Sequence, residues 1–303
     1  MLTTGTRDCD PLALALKRKA NAGEPGAALA SEIAAGEGWH VQDIVCTSGP
    51  ADRPFEERYG STSIAMVMSG TFLHRSNHGA CLMSPGSLLL GNASDAYEVS
   101  HQHGEGDRCV AFHFEPDLFE RIAHEAGVSH ARFDRSRLPS LRALAPLISR
   151  ASLAFERHDS FEEIAIELAG SVIRLTGNAR AEVTRTASPH DTGRVARVIR
   201  QLEDTAAEPH TLADLAHTAG LSRYHFLRTF KAVTGVTPHQ WLLRARLRDA
   251  ARRLATSKQP VTEIALDAGF DDLSNFIRTF RAEFGLSPSH YLASSAMIKT
   301  YFP

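Results

Sequence analysis

The chain has 303 residues with 43% apolar content, enough for two hydrophobic cores, and no uninterrupted apolar stretch approaches the roughly 18 residues of a membrane-spanning helix. A formal net charge of −2 excludes a sequence-independent nucleic-acid coat, but the charge is unevenly held: residues 190–303 carry 15 Lys+Arg against 11 Asp+Glu, and residues 1–189 carry 18 against 24. The start lacks the pattern of a secretory leader, and Cys9, Cys46, Cys81 and Cys109 stand far apart with no CxxC, so a cytoplasmic protein with reduced thiols is expected.

Residues 1–38 are rich in Ala and Gly and predict a poorly ordered extension. From Trp39 to Phe114 the texture becomes short β-type runs: HVQDIVCTS, STSIAMVMSGTFLHR, ACLMSPGSLLLGN, YEVSHQH and DRCVAFHF. Ser69-Gly70 and Pro85-Gly86 supply turns, and this many short strands predict a small barrel or sandwich, with Met66 and Met68 facing its interior. Within HQHGEGDRCVAFHF, a hairpin closed by a five-residue loop would put His101 and His103 on one strand and Cys109 and His113 on the next, His103 opposite Cys109. That arrangement admits either an effector, metal or reactive-thiol site or ordinary packing, and its spacing matches no zinc motif. Glu105 and Asp107 read as solvated turn residues, and His74, His78 and Cys81 form a looser cluster.

Beyond Phe114 the pattern is helical. PDLFERIAHEAG predicts a short helix, and LPSLRALAPLISRASLAFER with SFEEIAIELAGSVIRLTG predicts an antiparallel pair. Ile164, Leu168, Val172 and Leu175 mark an apolar stripe that either packs on the strands or forms a homodimer interface. Residues 178–192 are polar and read as a linker.

The C-terminal third holds a repeat, TLADLAHTAGLSRYHFLRTFK at 211–231 and VTEIALDAGFDDLSNFIRTFR at 261–281. Leu212, Leu215, Ala216, Ala219 and Gly220 match Val261, Ile264, Ala265, Ala268 and Gly269 at an offset of 49. The offset becomes 50 for Phe226/Phe276, Arg228/Arg278, Phe230/Phe280 and Gly235/Gly285, so one residue is inserted among Asp271, Asp272 and Leu273. Each copy reads as helix, glycine turn and second helix capped by Ser222 or Asp271, which is the helix-turn-helix layout. PHQWLLRARLRDAARRLATS between them fits one connecting helix, long enough to set two recognition helices about one DNA turn apart.

On these residues, the segment from about 194 to 292 resembles the DNA-binding domain of AraC/XylS-type bacterial transcription regulators, VTEIALDAGFDDLSNFIRTFRAEFGLSPSHY being its most specific stretch. The resemblance implies seven helices, the first around Arg194–Leu202 and the last after Pro288. It implies groove-facing residues Arg223, Tyr224, Leu227, Arg228 and Lys231 in the first unit and Leu273, Ser274, Ile277, Arg278 and Arg281 in the second. Leu227 and Ile277 depart from the polar groups that the family often carries there; an apolar side chain can read a thymine methyl. For the first half it implies a cupin-like β-barrel, a jelly roll, although the HxH and downstream glutamate of metal-dependent cupin enzymes are missing. The resulting expectation is a two-domain α+β protein: extension 1–38, cupin-like effector-sensing and dimerisation domain 39–177, linker 178–192, and all-α DNA-binding domain 193–303. Its implied partners are an operator DNA, a small-molecule effector, RNA polymerase and a second copy, with no membrane, no required cofactor and no enzymatic activity. The alternatives are a ligand-independent regulator whose barrel only dimerises, a metal- or thiol-responsive sensor, and an enzyme carrying a DNA-binding domain.

Overall fold

The computed structural model describes residues 11–128, 132–157, 161–177 and 187–293, without the side chains of 155–157. Helix α1 (Pro11–Ala22) leads into β1 (Ala28–Gly36), which pairs antiparallel with β2 (Trp39–Cys46), so residues 11–36 of the stretch expected to be poorly ordered form a helix and an edge strand. Then come β3 (Phe55–Arg58), β4 (Thr62–Gly70), β5 (Phe72–Ser76), β6 (Gly79–Met83), β7 (Leu88–Gly91), β8 (Ala96–Ser100) and β9 (Asp107–Phe114). Both expected turns appear, with Gly70 and Gly86 at positive φ. Helix α2 (Pro116–Glu125), the two-residue β10 (Arg137–Leu138), α3 (Ala145–Arg157) and α4 (Glu162–Gly177) complete this half.

The strands do not close into a barrel. They form a six-stranded sheet in the order β1-β2-β9-β4-β7-β10 and a separate four-stranded sheet in the order β3-β8-β5-β6, which corrects the cupin-like jelly-roll barrel expected above. Closure would need continuous hydrogen-bonded pairing around a ring. Here β8 and β9, successive in the chain, lie in different sheets, and the larger sheet ends at the two-residue β10.

Side-chain size explains the stacking. On β4 and β9 the alternate residues Ile64, Met66, Val110, Phe112 and Phe114 pack against α2, α3 and α4, while Ala65, Val67, Cys109 and Ala111 face Phe72, Met83 and Val99 of the smaller sheet. The inward alanines let the sheets approach, and burial on both faces makes the middle of each strand, Ile64–Met68 of β4 and Cys109–Phe112 of β9, continuously apolar. Met66 and the half-buried Met68 thus face the helices and not the space between the sheets. The stripe of Ile164, Leu168, Val172 and Leu175 likewise packs inward against this core, so it is not available as a homodimer interface.

Among the described residues seven helices run through the C-terminal part: α5 (Pro189–Asp204), α6 (Leu212–Ala219), α7 (Arg223–Thr234), α8 (Pro238–Thr256), α9 (Val261–Asp267), α10 (Leu273–Phe284) and a last one at 288–293. Helix α5 starts earlier than expected because the Ser188 hydroxyl accepts from the Asp191 N–H at 3.1 Å and Pro189 suits the first turn. Its first turn takes up the end of the expected linker; residues 178–186 of that linker, and Cys9, lie outside the described residues.

The halves are packed together. Arg137 bridges the carbonyls of Leu82 and Val233, Arg244 donates to the Ser140 carbonyl, and the Ser149 and Tyr291 hydroxyls meet. Glu283, only 7% exposed, is held by Arg142 and Arg244 at 3.3 Å each. On α5, burial pushes Glu203 up to about 7 against the opposing pull of Arg248. Arg248 is itself pulled down to about 10 by burial.

Candidate nucleic-acid interface

Each helix-turn-helix unit is built by the same local devices. In the first, Thr211 caps α6, Gly220 ends it at φ +63°, and the Ser222 hydroxyl accepts from the His225 N–H at 3.4 Å to start α7. Ala216, 2% exposed, lets α6 and α7 cross closely, and Phe226 and Phe230 pack edge to face in the core at 5.6 Å. In the second unit Ala265 and the pair Phe276/Phe280 repeat this arrangement.

The inserted residue moves the second cap. Asp272, not Asp271, starts α10, its carboxylate accepting from the N–H groups of Ser274 at 3.0 Å and Asn275 at 2.9 Å. Three residues separate Gly269 from Leu273, where two separate Gly220 from Arg223, so the sequence register slips and the helix register is restored.

With the phenylalanines inward, the opposite faces of α7 and α10 are free. Arg223, Tyr224, Arg228 and Lys231 are exposed on α7, and Leu227 is half-buried beside them. On α10 Leu273, Ser274, Ile277, Arg278 and Arg281 are all exposed. The structure therefore gathers the ten sequence-predicted residues into two surface patches. Two are already oriented by helix neighbours: the Arg228 guanidinium lies 5.7 Å from the centre of the Tyr224 ring, and Arg278 donates to Asn275 Oδ1 at 3.0 Å. Asn275, exposed on the same helix, belongs to this patch and was missed by position-by-position reasoning.

Helix α8 holds the two units apart. The Thr237–Gln240 capping box fixes its start; Trp241 and Leu242 lie in the first unit's core, and Leu247, Ala250, Ala251 and Leu254 in the second's. Its 19 residues span about 28 Å at 1.5 Å per residue.

The expected cluster of His101, His103, Cys109 and His113 is not one site. Because β8 and β9 do not pair, His103 is not opposite Cys109; from the loop between them it packs against α5, where a Cβ at Gly193 would stand 2.8 Å from its ring. His113 sits toward the far end of β9, stacked on His40 at 4.5 Å, and burial pulls it down to about 4. His101 instead meets Asp107, which is buried and not a solvated turn residue, at 2.5 Å. Burial pulls His101 down, but its contacts with Asp107 and Cys46 prevail and raise it to about 9. Cys109 donates to the other Asp107 oxygen at 3.4 Å, and burial pushes its thiol well up. The looser cluster also resolves differently: His74 is fully buried and bonded to the Tyr59 hydroxyl at 2.9 Å. Among the described residues Cys46, Cys81 and Cys109 are all free thiols, and no helix is long and apolar enough to cross a membrane.

Comparison with known proteins follows the same division. Residues 215–294 match a family model described as a helix-turn-helix domain, and residues 47–173 match one described as an AraC-like ligand binding domain. The uncharacterized HTH-type transcriptional regulator YbfI of Bacillus subtilis is 30% identical over 205 residues, which are 64% of this chain and 70% of that protein. The chain belongs to the AraC/XylS family of transcription regulators. The transcriptional activator NphR of a Rhodococcus species is 36% identical over 138 residues, 44% of this chain and 41% of that protein. The transcriptional activator RhaS of Escherichia fergusonii is 28% identical over 242 residues, 77% of this chain and 85% of that protein. All three relatives are named as transcription regulators or activators, in line with the exposed second helices of a DNA-binding protein.

Proposed function

We propose that α7 and α10 enter successive major grooves of one operator, with Arg223, Tyr224, Leu227, Arg228 and Lys231 facing one groove and Leu273, Ser274, Ile277, Arg278 and Arg281 the next. The observation that carries this reading is the pair of exposed, similarly built faces on units sharing α8, whose roughly 28 Å length suits a groove repeat of about 34 Å once the unit bodies are added. In this reading Arg228 and Arg278 donate to guanine or phosphate, Lys231 and Arg281 set register on phosphates, and Leu227 and Ile277 touch thymine methyls.

The reading extends to control. A small-molecule effector acts through the N-terminal half, which matches the AraC-like ligand binding domain over 47–173, and the junction around Arg137, Glu203 and Glu283 is the element it biases. The protein works as a homodimer in contact with RNA polymerase. One observation favours a ligand-independent regulator as the second reading: the space between the sheets is filled by Val67, Phe72, Met83, Leu89 and Val99.

Selection of bound genomic fragments by the full-length protein tests DNA reading, and thermal-shift screening against metabolites tests control. The expected results are a discrete site with two unlike halves, affinity that falls steeply with salt, and a compound that raises Tm and changes operator affinity. Binding without sequence preference would overturn the first reading. Operator binding indifferent to every compound that stabilises the protein would favour the second.

A further inference from the structure

One end of the space between the sheets gathers buried groups that DNA reading does not use. Cys46 closes β2 and Asp107 opens β9, and the two are directly opposite in the antiparallel register, so their side chains leave the same face of the sheet. Cys109, two residues further along β9, shares that face. His101, just past the end of β8, reaches in from the other sheet and places Nε2 2.5 Å from Asp107 Oδ1. One ligand atom each from Cys46, His101 and Asp107 lies within 4.8 Å of the other two. All three residues are buried, and His101 Nδ1 has no hydrogen-bond partner.

We propose that Cys46, His101 and Asp107 form a binding site for one divalent transition-metal ion of the zinc type. The donors are one sulfur, one nitrogen and one oxygen, a set that suits zinc and not the hard cations that take six or more oxygens. Binding releases the Cys46 thiol proton and the proton that Asp107 favours on His101; the resulting thiolate, carboxylate and neutral imidazole balance a dication, so the filled site is uncharged and its burial is not opposed by net charge. Zinc bonds of about 2.0–2.3 Å put tetrahedral donors roughly 3.3–3.8 Å apart. The widest pair, within 4.8 Å, therefore closes by at most about 1.5 Å, and His101 and Asp107, now at 2.5 Å, part by about 1 Å to admit the ion.

The surroundings are those of a supported site. The Cys109 S–H, donating to Asp107 Oδ2 at 3.4 Å, orients the carboxylate from outside the ligand set. Leu12 of α1 covers the neighbouring Gly106, and Lys19 ties α1 down through Asp52 and the Thr47 carbonyl. Three ligands leave a fourth position for water or a small ligand. The 101–107 loop that the ion would fix also carries His103 and Gly104, which lie against Gly193 and Arg200 of α5. The site stands whether or not an organic effector controls the protein.

The test uses full-length untagged protein, reduced and stripped of metal by a chelator, titrated with Co2+ and then Zn2+. The expected result is one equivalent of Co2+ with a thiolate-to-cobalt charge-transfer band and tetrahedral visible bands, displaced by one equivalent of Zn2+. Cys46→Ser should abolish the charge-transfer band, and Asp107→Asn should weaken Zn2+ binding by about tenfold or more. Cys81→Ser, altering a thiol on β6 of the other sheet, should change neither. Absence of a thiolate band from the wild-type protein overturns the proposal, as does its persistence in Cys46→Ser. The wild-type spectrum decides the question even where a variant fails to fold.

Discussion

The two helix-turn-helix units share a fold and the later part of their outer faces, Leu227, Arg228 and Lys231 answering to Ile277, Arg278 and Arg281. They differ where the second helix begins, Arg223 and Tyr224 standing against Leu273 and Ser274. The first offers Arg223, Tyr224, Arg228 and Lys231 to solvent; the second opens on Asp271 and Asp272 and carries its cations, Arg278 and Arg281, further along. Their attachment differs too. The first unit's core takes in Leu82 of β6, whereas the second packs on Ala145 and Leu153 of α3 and binds through Glu283 and Tyr291. The repeat keeps its interior, because Phe226/Phe230 and Phe276/Phe280 fill equivalent cores, while the start of each outer face answers to what it touches.

The largest test of shared interiors is the core itself. Phe230→Ala and Phe280→Ala should each cost about 3–5 kcal/mol in urea unfolding, since both rings are fully buried. A cost at either site below about 1 kcal/mol would break the equivalence. The turns should separate the units more sharply. Gly220 (φ +63°) has nothing within 4 Å of an added Cβ, whereas at Gly269 (φ +85°) that Cβ would stand 2.5 Å from the Ala207 carbonyl oxygen. Gly220→Ala should cost about 1–2 kcal/mol from the left-handed backbone alone, and Gly269→Ala clearly more, by chemical denaturation. The caps span the smaller effects: Asp272→Ala, losing two hydrogen bonds, should cost about 1–2 kcal/mol, no more than Gly220→Ala, and Ser222→Ala, losing one long one, the least at about 0.5–1 kcal/mol. Equal cap effects would remove the distinction.

What the sequence disclosed follows from the range of the interactions involved. Helix-turn-helix units are written in local spacing, so the repeat, both glycine turns and the outward residues of α7 and α10 were legible. The second cap was misplaced by one because an insertion can be shared between neighbouring aspartates, and only Asp272 has the geometry to reach the Ser274 and Asn275 amides. In the first half, short β-type runs between turns identified strands β2 and β4 to β9 but not β1, β3 or β10, nor which strand pairs with which. Strand alternation says which residues share a face; it does not say whether β8 turns back on β9 or crosses to another sheet. Hence His103 and Cys109 were paired in error, and Cys46, distant in sequence from His101 and Asp107, carried no signal of joining them. The Ala- and Gly-rich start misled for a similar reason: β1 is mostly exposed and held by its ladder with β2, which composition does not register.

The most direct test of the central claim compares Arg228→Ala with Arg278→Ala on a selected operator, measuring affinity with each base pair varied in turn. Each variant should lose about 1–3 kcal/mol of binding, with discrimination relaxed in a different half of the site and the greater loss from Arg228→Ala. Unchanged affinity in both variants, or relaxed discrimination at the same base pairs, would contradict two units that read DNA unequally.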